Sequence, residues 1–326
     1  MTTTVEPAVK VTGLRKSYGD KLVLDGIDLE VPAGQVWSLL GPNGAGKTTA
    51  VQILSTLIRP DAGTVEVAGH DLTREADAVR RAIGVTGQFA AVDEMLTGEE
   101  NLLLMGDLHH LNRRTSRARV RELLAQFDLV DAARKVAGTY SGGMRRKLDL
   151  AMTLVGRPKI IFLDEPTTGL DPRSRHAMWS MIREQVADGV TIFLTTQYLE
   201  EADQLADRIA VLDHGRLVAE GTPDELKRLV PGAHIVLKFD SASALHAAAR
   251  LLDGSAPDDP ALSLRVPSDG SLQSMRGLLD ELDREAIAPQ NLAVHTPDLD
   301  DVFLTLTGQA PTGEQHSTQP ESEDAR

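Results

Sequence analysis

Eight residues near the beginning of the chain have the types and spacing of a phosphate-binding loop. Residues 41–48, GPNGAGKT, fit the pattern G-x-x-x-x-G-K-[ST] and lie between a predicted strand at 36–40 and a predicted helix at 49–57. Glycines let a backbone pass close to an anion, and successive N–H groups and a helix N-terminus present positive potential to it. We expect Lys47 to bind the β- and γ-phosphates of a nucleotide and the Thr48 hydroxyl to ligate Mg²⁺. Alone, the loop indicates only nucleotide binding.

Two adjacent carboxylates follow an apolar segment later in the chain. The predicted strand at 160–163, IIFL, delivers Asp164 at its C-terminal end, where α/β sheets bind ligands. We expect Asp164 to hold Mg²⁺ through its water shell and Glu165 to polarise an attacking water molecule. An apolar strand that ends in two acids is common by chance, so the pair gains its meaning from the phosphate-binding loop.

A third motif lies between these two and distinguishes among nucleotide-binding families. Residues 140–146, YSGGMRR, lead into a predicted helix at 147–154, so a serine hydroxyl, glycine amides and a helix N-terminus could face an anion. With this segment the sequence resembles the ABC ATPase family, whose signature is SGGQ before a helix. The resemblance implies that Ser141, Gly142 and Gly143 bind the γ-phosphate of ATP held by the opposite subunit of a dimer.

The resemblance covers residues from about 8 to 229 and gives further positions a role. It implies that Tyr18 stacks on adenine, that Gln88 touches Mg²⁺ and senses a membrane subunit, and that Asp171 lies in the loop linking the two sites of the dimer. The predicted nucleotide contacts are Tyr18, Gly41, Pro42, Asn43, Gly44, Ala45, Gly46, Lys47, Thr48, Thr49, Gln88, Ser141, Gly142, Gly143 and Asp171. The predicted metal contacts are Thr48, Gln88 and Asp164, and the predicted catalytic residues are Lys47, Glu165 and Gln197.

At two positions the sequence departs from the family pattern. The signature has Met144 where glutamine is usual, and Gln197 follows the predicted last strand where the family has a switch histidine. An amide can donate a hydrogen bond to the γ-phosphate, but it cannot carry a proton or a charge as imidazole can. The role of the switch position is therefore open, although Glu165 remains available to activate water.

The elements that must position these residues predict an α/β fold. The runs at 160–163 and 191–194 are almost wholly apolar, as expected for strands buried on both faces of a parallel sheet. Capping boxes at Thr97–Glu100 and Thr222–Glu225 mark the beginnings of two helices. The family resemblance implies a P-loop NTPase of the ABC ATPase type, with a mainly parallel sheet and a helical subdomain between Gln88 and Ser141.

A smaller pattern of elements begins after Pro231 and Gly232, which form a candidate domain boundary. The predicted strands are at 235–239, 262–266 and 292–295, and the predicted helices are at 242–252, 272–282 and 299–306. We therefore predict an ATP-binding domain at 1–230, a small α+β domain at 231–308 and a disordered polar tail at 309–326.

Three runs resemble one branch of the family. Residues 141–151 (SGGMRRKLDLA), 197–202 (QYLEEA) and 299–304 (LDDVFL) are similar to the ATP-binding subunits of actinobacterial drug exporters of the daunorubicin-resistance type. This resemblance implies efflux of a hydrophobic drug, antibiotic or lipid-like compound through a separate membrane permease. It also implies that the small C-terminal domain helps dimerisation or regulation.

Composition excludes several other classes of function. The formal net charge of −14 and the lack of a long basic stripe argue against a nucleic-acid partner. The chain has no cysteine, which excludes disulfides and thiol catalysis. Its beginning lacks the pattern of a signal peptide and its apolar runs are too short to span a bilayer. We expect a peripheral protein at the cytoplasmic face of the cell membrane.

Two other functions remain open from the sequence. A soluble ABC ATPase acting on ribosomes or DNA would usually carry two cassettes or long coiled coils, whereas this chain has one phosphate-binding loop and no sustained heptad pattern. An importer subunit would differ mainly in its permease and in a solute-binding protein. The C-terminal segment argues only weakly against import.

Overall fold

The chain folds into two units that divide between Pro223 and Asp224. The computed structural model describes residues 6–88, 90–230, 234–253, 255–268, 271–295 and 297–308. The sequence predicts the division after residue 230, seven residues later, and the predicted boundary at Pro231 and Gly232 lies outside the described residues. The predicted disordered tail, 309–326, lies outside them too. The roles of the two domains remain predictions.

The strands of the first unit form two sheets in its described residues. They are β1 (Val9–Tyr18), β2 (Lys21–Val31), β3 (Val36–Leu40), β4 (Ala62–Val67), β5 (His70–Asp71), β6 (Ile83–Thr86), β7 (Ile160–Asp164), β8 (Thr191–Thr196), β9 (Arg208–Asp213) and β10 (Arg216–Gly221). The larger sheet has the order β10-β9-β3-β8-β7-β6, with β10 antiparallel and the other strands parallel. The predicted mainly parallel sheet is confirmed.

Each central strand of this sheet is buried on both faces, which explains its almost continuous apolar sequence. Successive side chains point to opposite faces, so Ile161 and Leu163 join one apolar cluster while Ile160 and Phe162 join another. Trp37 is fully buried, and its ring packs against that of Phe193 with the centroids 4.9 Å apart.

The second sheet is antiparallel, has the order β2-β1-β4-β5, and was not predicted from the sequence. Its long strands β1 and β2 alternate buried apolar with exposed polar residues. The pairing of β1 with β2 shifts register at three places, so the period of two is interrupted. A broken alternation with many charged residues gives a weaker signal than the apolar runs of β3, β7 and β8.

Helices alternate with the strands along the first unit. They are α1 (Lys47–Leu54), α2 (Ala76–Ala82), α3 (Gly98–Leu108), α4 (Arg113–Gln126), α5 (Gly142–Thr153), α6 (Pro172–Ala187) and α7 (Leu199–Leu205). Helix α1 begins two residues before the predicted start and ends three before the predicted end, because Ser55 caps it and Thr56 has a positive φ of 65°. The predicted capping box of Thr97 and Glu100 is confirmed at the start of α3.

The predicted helical subdomain is present between β6 and β7. Helices α3, α4 and α5 share an apolar cluster with the core side of α6, and that cluster includes Leu102, Leu123, Phe127 and Leu148. Helix α5 ends shortly before β7, so it connects the subdomain directly to the strand that carries Asp164.

The second unit contains an antiparallel sheet with helices, as predicted. Its described elements are α8 (Pro223–Lys227), which begins at the division, β11 (His234–Lys238), α9 (Ala242–Leu251), β12 (Ala256–Asp258), β13 (Ser263–Pro267), α10 (Leu272–Arg284), β14 (Asn291–His295) and α11 (Leu299–Thr307). The strand order is β12-β13-β11-β14. The three predicted strands and three predicted helices are present within two residues at each end, but β12, which has only three residues, was missed.

Candidate nucleotide-binding and hydrolysis site

Three neighbouring strands end at one edge of the parallel sheet and bring the predicted catalytic residues together. Leu40 of β3 pairs with Thr196 of β8, and Asp164 of β7 pairs with Thr195. The amide of Gly41 donates to the carbonyl of Thr196 over 3.3 Å, which fixes the phosphate-binding loop beside the end of β8. Ligands of α/β sheets bind at this carboxyl edge.

Two glycines of the loop lie where no side chain would fit. A Cβ at Gly41 would be 2.4 Å from the carbonyl oxygen of Leu212, and one at Gly46 would be 2.8 Å from Leu24 Cδ2. Gly46 also has a φ of 113°, which favours glycine, immediately before α1 begins. The loop is therefore pressed against the strands behind it, and its exposed side, at Asn43 and Gly44, is open to a ligand.

Lys47 is buried at the first position of α1. Its Nζ donates to the carbonyl oxygens of Gly41 at 2.9 Å and Pro42 at 3.2 Å, and it lies 3.4 Å from a carboxylate oxygen of Glu165. Burial lowers the pKa of Lys47, while the charge and hydrogen bond of Glu165 partly oppose this. The ammonium group is thus at the centre of the site, and the predicted catalytic pair Lys47 and Glu165 is in contact.

The two carboxylates at the end of β7 have different surroundings. Asp164 is the last strand residue and accepts a short hydrogen bond from the hydroxyl of Thr195. Glu165 has a φ of 49°, an unusual conformation for a residue with a side chain, and its amide donates to the carbonyl of Thr195 over 3.0 Å. Such conformations persist where surrounding bonds fix them, and they are common at active sites.

Gln197 follows β8 directly and lies beside the start of the loop. Its amide oxygen is buried and has no hydrogen-bond partner among the described residues. Because this atom is an acceptor, the group that could pair with it is a donor such as a bound water molecule, and not a phosphate oxygen.

The remaining predicted contacts of this half-site lie around that centre. Thr48 and Thr49 occupy the first turn of α1 and are half-buried. Gln88 is exposed, two residues after β6. Tyr18 ends β1 with 49% of its surface exposed, and the ammonium of Lys16 is 5.6 Å from its ring centroid. An exposed ring at a strand end is available to stack on a base.

The signature segment presents its polar groups to solvent. Ser141 caps α5, its hydroxyl accepting from the amide of Met144 over 3.2 Å, and a Cβ at Gly142 would meet nothing within 4 Å. Gly143 packs against Ser174, whose hydroxyl would lie 2.7 Å from an added Cβ. The helix N-terminus, with Ser141 and Gly142 exposed, is therefore accessible to an anion from outside the subunit.

Asp171 caps α6 beside this segment. Its carboxylate accepts from the amide of Ser174 at 3.0 Å and from the Ser174 hydroxyl at 2.6 Å, and these hydrogen bonds lower the pKa of Asp171. Because Ser174 also packs on Gly143, the Asp171 loop and the signature segment of one subunit are joined through one serine.

The oxygen atoms around the site are suited to binding Mg²⁺. Thr48, Gln88 and Asp164 offer oxygen atoms, the ligands that Mg²⁺ prefers, and Mg²⁺ usually takes one or two carboxylates together with substrate phosphates. No group of three or more His, Asp or Glu side chains able to hold an ion occurs in the described part of the chain. The donors fit an ion that is bound together with phosphate.

Several residues of the site were missed from the sequence. Arg146, Asp149 and Glu201 are buried charged residues next to the end of β7. Glu201 accepts from the Thr167 hydroxyl at 2.7 Å and from the Trp179 indole at 3.2 Å, and burial raises its pKa. Their sequence signal was only a charged residue within a helical pattern, which is equally typical of a solvated face.

Among the described residues, no helix combines the length and the apolar character needed to cross a bilayer.

Comparisons with known proteins agree on one family. The family model described as ABC transporter matches residues 24–168. The chain is 53% identical to the daunorubicin resistance ATP-binding protein DrrA3 of Streptomyces coeruleorubidus, over 93% of this chain and 96% of that protein. It is 50% identical to the daunorubicin/doxorubicin resistance ATP-binding protein DrrA of Streptomyces peucetius, over 94% of each. It is 38% identical to the Nod factor export ATP-binding protein I of Ralstonia nicotianae, over 93% of this chain and 94% of that protein.

A solved structure supports the same fold. An ATP-binding subunit of an ABC transporter is 30% identical, with a TM-score of 0.62, and covers 68% of this chain and 92% of its own. That share of this chain is close to the extent of its first unit, residues 1–223.

Proposed function

The chain belongs to the ABC transporter family and is an ATP-hydrolysing subunit of the exporter type, and from this premise we propose that it powers efflux of a hydrophobic drug through a separate membrane permease. Relatives at 50% and 53% identity over nearly the whole chain carry daunorubicin resistance in their names. A hydrophobic drug, antibiotic or lipid-like compound is therefore the proposed cargo, and the cytoplasmic face of the cell membrane is the proposed location.

The observation that supports the ATP-hydrolysing part of the proposal is the contact of Lys47 with Glu165 at the edge of the sheet, 3.4 Å apart and both buried. When ATP binds, its phosphates offer Lys47 stronger anionic partners than one carboxylate and two carbonyls. Glu165 is then released to orient and polarise the water that attacks the γ-phosphate. Phosphoryl transfer needs positioning and charge neutralisation more than covalent help, and this site supplies both.

Gln197 and the metal donors complete the proposed chemistry. The amide nitrogen of Gln197 would donate a hydrogen bond to the γ-phosphate, while its buried, unpaired amide oxygen would accept one from a bound water molecule. Thr48, Asp164 and Gln88 would hold a Mg²⁺ ion, which neutralises phosphate charge when bound.

A second copy of the chain is the proposed partner at the site. Ser141 and Gly142 are exposed at a helix N-terminus, which an anion can approach from outside the subunit. Two copies arranged head to tail would place each signature segment on the ATP bound by the other, as the family resemblance implies. Closure of this dimer would move the permease, and hydrolysis would reset it.

The proposal is tested by drug efflux from cells that express the chain together with its permease. Replacing Lys47 by alanine removes the buried cation of the site, so efflux and ATP binding should both be lost. Lys10→Ala, which changes an exposed lysine of β1, is the matched control and should behave as wild type. Equal efflux by the Lys47→Ala variant would contradict the proposal.

A further inference from the structure

Arg146 and Asp149 form a buried ion pair on one face of α5. Arg146 is 7% exposed and Asp149 is 3% exposed, and the guanidinium lies 3.2 Å from the carboxylate. Burial lowers the pKa of Arg146 and raises that of Asp149, so desolvation opposes the charged form of each. A buried pair is retained against this cost only where good hydrogen bonds satisfy both groups.

The guanidinium of Arg146 donates hydrogen bonds to backbone carbonyls of two other segments of the chain. Nε donates to the carbonyl of Pro166 at 2.8 Å, and Nη1 donates to the carbonyl of Gly87 at 2.7 Å. Nη2 lies 3.5 Å from the carbonyls of Asp164 and Glu165. One side chain therefore connects the signature helix with the turn that carries Glu165 and with the residue just before Gln88.

Asp149 binds the backbone on the other side of Gln88. Its Oδ1 accepts from the backbone amide of Ala91 over 2.9 Å, three residues after Gln88. The carbonyl before Gln88 is bound by Arg146, and an amide after it is bound by Asp149. The two members of the ion pair thus hold the backbone on both sides of Gln88 to the same turn of α5.

We propose that Arg146 and Asp149 are positioning residues for hydrolysis, which fix Glu165 and Gln88 in one geometry relative to the signature helix. The inference rests on the roles that the proposed function gives to Glu165 and Gln88. Helix α5 begins at the signature segment, so closure of the dimer fixes the position of this helix. The ion pair then fixes the water-activating carboxylate of Glu165 and the exposed Gln88 relative to the helix. The pair acts through other residues and touches no reacting atom.

The backbone of Glu165 explains why such support is needed. Its φ of 49° is a conformation that costs free energy for a residue with a side chain, and it persists only if surrounding bonds define it. Arg146 binds the carbonyl of Pro166, next along that turn, and lies near two others. A lysine could reach one of these oxygens, but its ammonium cannot reproduce the planar fork of donors.

The first test is Arg146→Lys in the full-length chain, with ATP affinity and steady-state ATPase rate measured separately. Loss of fixed geometry at Glu165 should lower kcat by about tenfold to a hundredfold, since small displacements of catalytic groups have effects of this order. The dissociation constant for ATP should change by less than about threefold, because Lys47 and the loop are untouched. Asp149→Asn, which keeps an oxygen for the Ala91 amide but removes the charge, should also lower kcat.

Arg119→Lys is a control for the loss of an arginine bridge on a helix, although its partner carboxylate is exposed and that of Arg146 is buried. Arg119 also pairs with a carboxylate three residues later on its helix, Glu122 at 2.7 Å, and also donates to a backbone carbonyl, that of Leu154 at 2.9 Å. Its partners lie in α4 and at the end of α5, away from Glu165 and Gln88. Because Glu122 is exposed, the free energy of unfolding is measured for both variants as well. If Arg119→Lys lowered kcat as much as Arg146→Lys, or if the lower kcat of Arg146→Lys followed its loss of unfolding free energy alone, the proposal would be overturned.

The second test combines Arg146→Lys with Gln88→Ala. If Arg146 acts partly by positioning Gln88, the double variant should be little slower than the slower single variant, whereas independent effects would multiply. A rate for Arg146→Lys within about twofold of wild type, or loss of ATP binding in that variant, would overturn the proposed positioning role. A Glu165→Gln variant with normal turnover would instead remove the proposed function of Glu165, whatever the result for Arg146.

Discussion

Lys47 shows at the scale of one residue how the site is prepared for an anion. Burial lowers the pKa of the Lys47 ammonium group. Its contacts with the carboxylate of Glu165 and with two carbonyl oxygens favour the protonated form. A bound triphosphate would favour the charged form much more strongly. Nucleotide binding and protonation of Lys47 are therefore linked.

This linkage predicts the pH dependence of ATP affinity at alkaline pH. Above the lowered pKa of free Lys47, binding must take up a proton, so affinity should fall with rising pH, by up to about tenfold per unit. Lys47→Arg carries a charge that does not titrate in this range and should lose the dependence, whatever its absolute affinity. Calorimetric titrations of ATP between neutral and alkaline pH measure both. The same alkaline decline in the arginine variant would assign it to another group.

Gln197 provides a second prediction at the residue scale. Gln197→Ala removes one hydrogen bond to a charged group, worth about 1.5–3 kcal/mol, or about one to two decades in kcat if all of it acts in the transition state. ATP binding should be largely unchanged. Gln197→His should keep activity and add a titration near neutral pH, since imidazole changes charge there.

The measurement for Gln197 is the ATPase rate against pH for wild type and both variants. Gln204→Ala, on the following helix α7, is the control for loss of a glutamine side chain in this region. An alanine variant as fast as wild type would leave Gln197 as a residue that only ends the strand.

At the scale of the elements, the apolar runs of β7 and β8 were sufficient to predict the parallel sheet and the edge at which Asp164, Glu165 and Gln197 meet. The start of α1 was placed two residues late because its cap is Gly46, which makes no side-chain hydrogen bond and therefore leaves no capping signal in the sequence. Side-chain caps such as Thr97 were predicted correctly, since their sequence pattern is explicit.

The contacts of Arg146 could not have been predicted in the same way. They join residues far apart in the chain, and most of them end on backbone carbonyls, which carry no sequence signal. Whether a charged helix residue faces solvent or a neighbouring turn is decided by tertiary packing. The antiparallel sheet was missed for a related reason, because its register shifts break the alternation of β1.

The capping box of α3 gives a prediction at this scale. Thr97 accepts from the amide of Glu100 at 3.2 Å, and the Glu100 carboxylate accepts from the amide of Thr97 at 2.8 Å. Thr97→Ala should lower the free energy of unfolding by about 1 kcal/mol, whereas Thr97→Ser keeps the acceptor and should cost little. Denaturant titration of the full-length chain measures the midpoints. Equal losses for both variants would show that packing of the threonine methyl group, not the cap, is responsible.

At the scale of the whole molecule, every residue of the proposed site lies in the first unit. The elements that carry the phosphate-binding loop, Glu165, Gln197 and the signature segment all end before Pro223. The small second unit has its own sheet and its own apolar cluster, including Leu237, Leu245 and Leu264. These features are expected of a unit that folds separately.

We predict that residues 1–230 fold and bind ATP without the second unit. Circular dichroism would report folding, and calorimetry would compare the ATP affinity of residues 1–230 with that of the full-length chain. The two affinities should agree within about threefold, since no contact of the site is removed. A well-folded truncation that fails to bind ATP would assign the second unit a direct part in the site.

The most direct test of the central claim, that two copies enclose ATP and Glu165 drives its hydrolysis, is gel filtration of Glu165→Gln with ATP and Mg²⁺. The amide preserves size and one oxygen acceptor but cannot polarise water as a carboxylate does, so ATP should bind without being hydrolysed. The variant should therefore elute as a dimer, and Lys47→Ala combined with Glu165→Gln should elute as a monomer because ATP no longer binds. A Glu165→Gln protein that stays monomeric with ATP bound, or that hydrolyses ATP at the wild-type rate, would contradict the account.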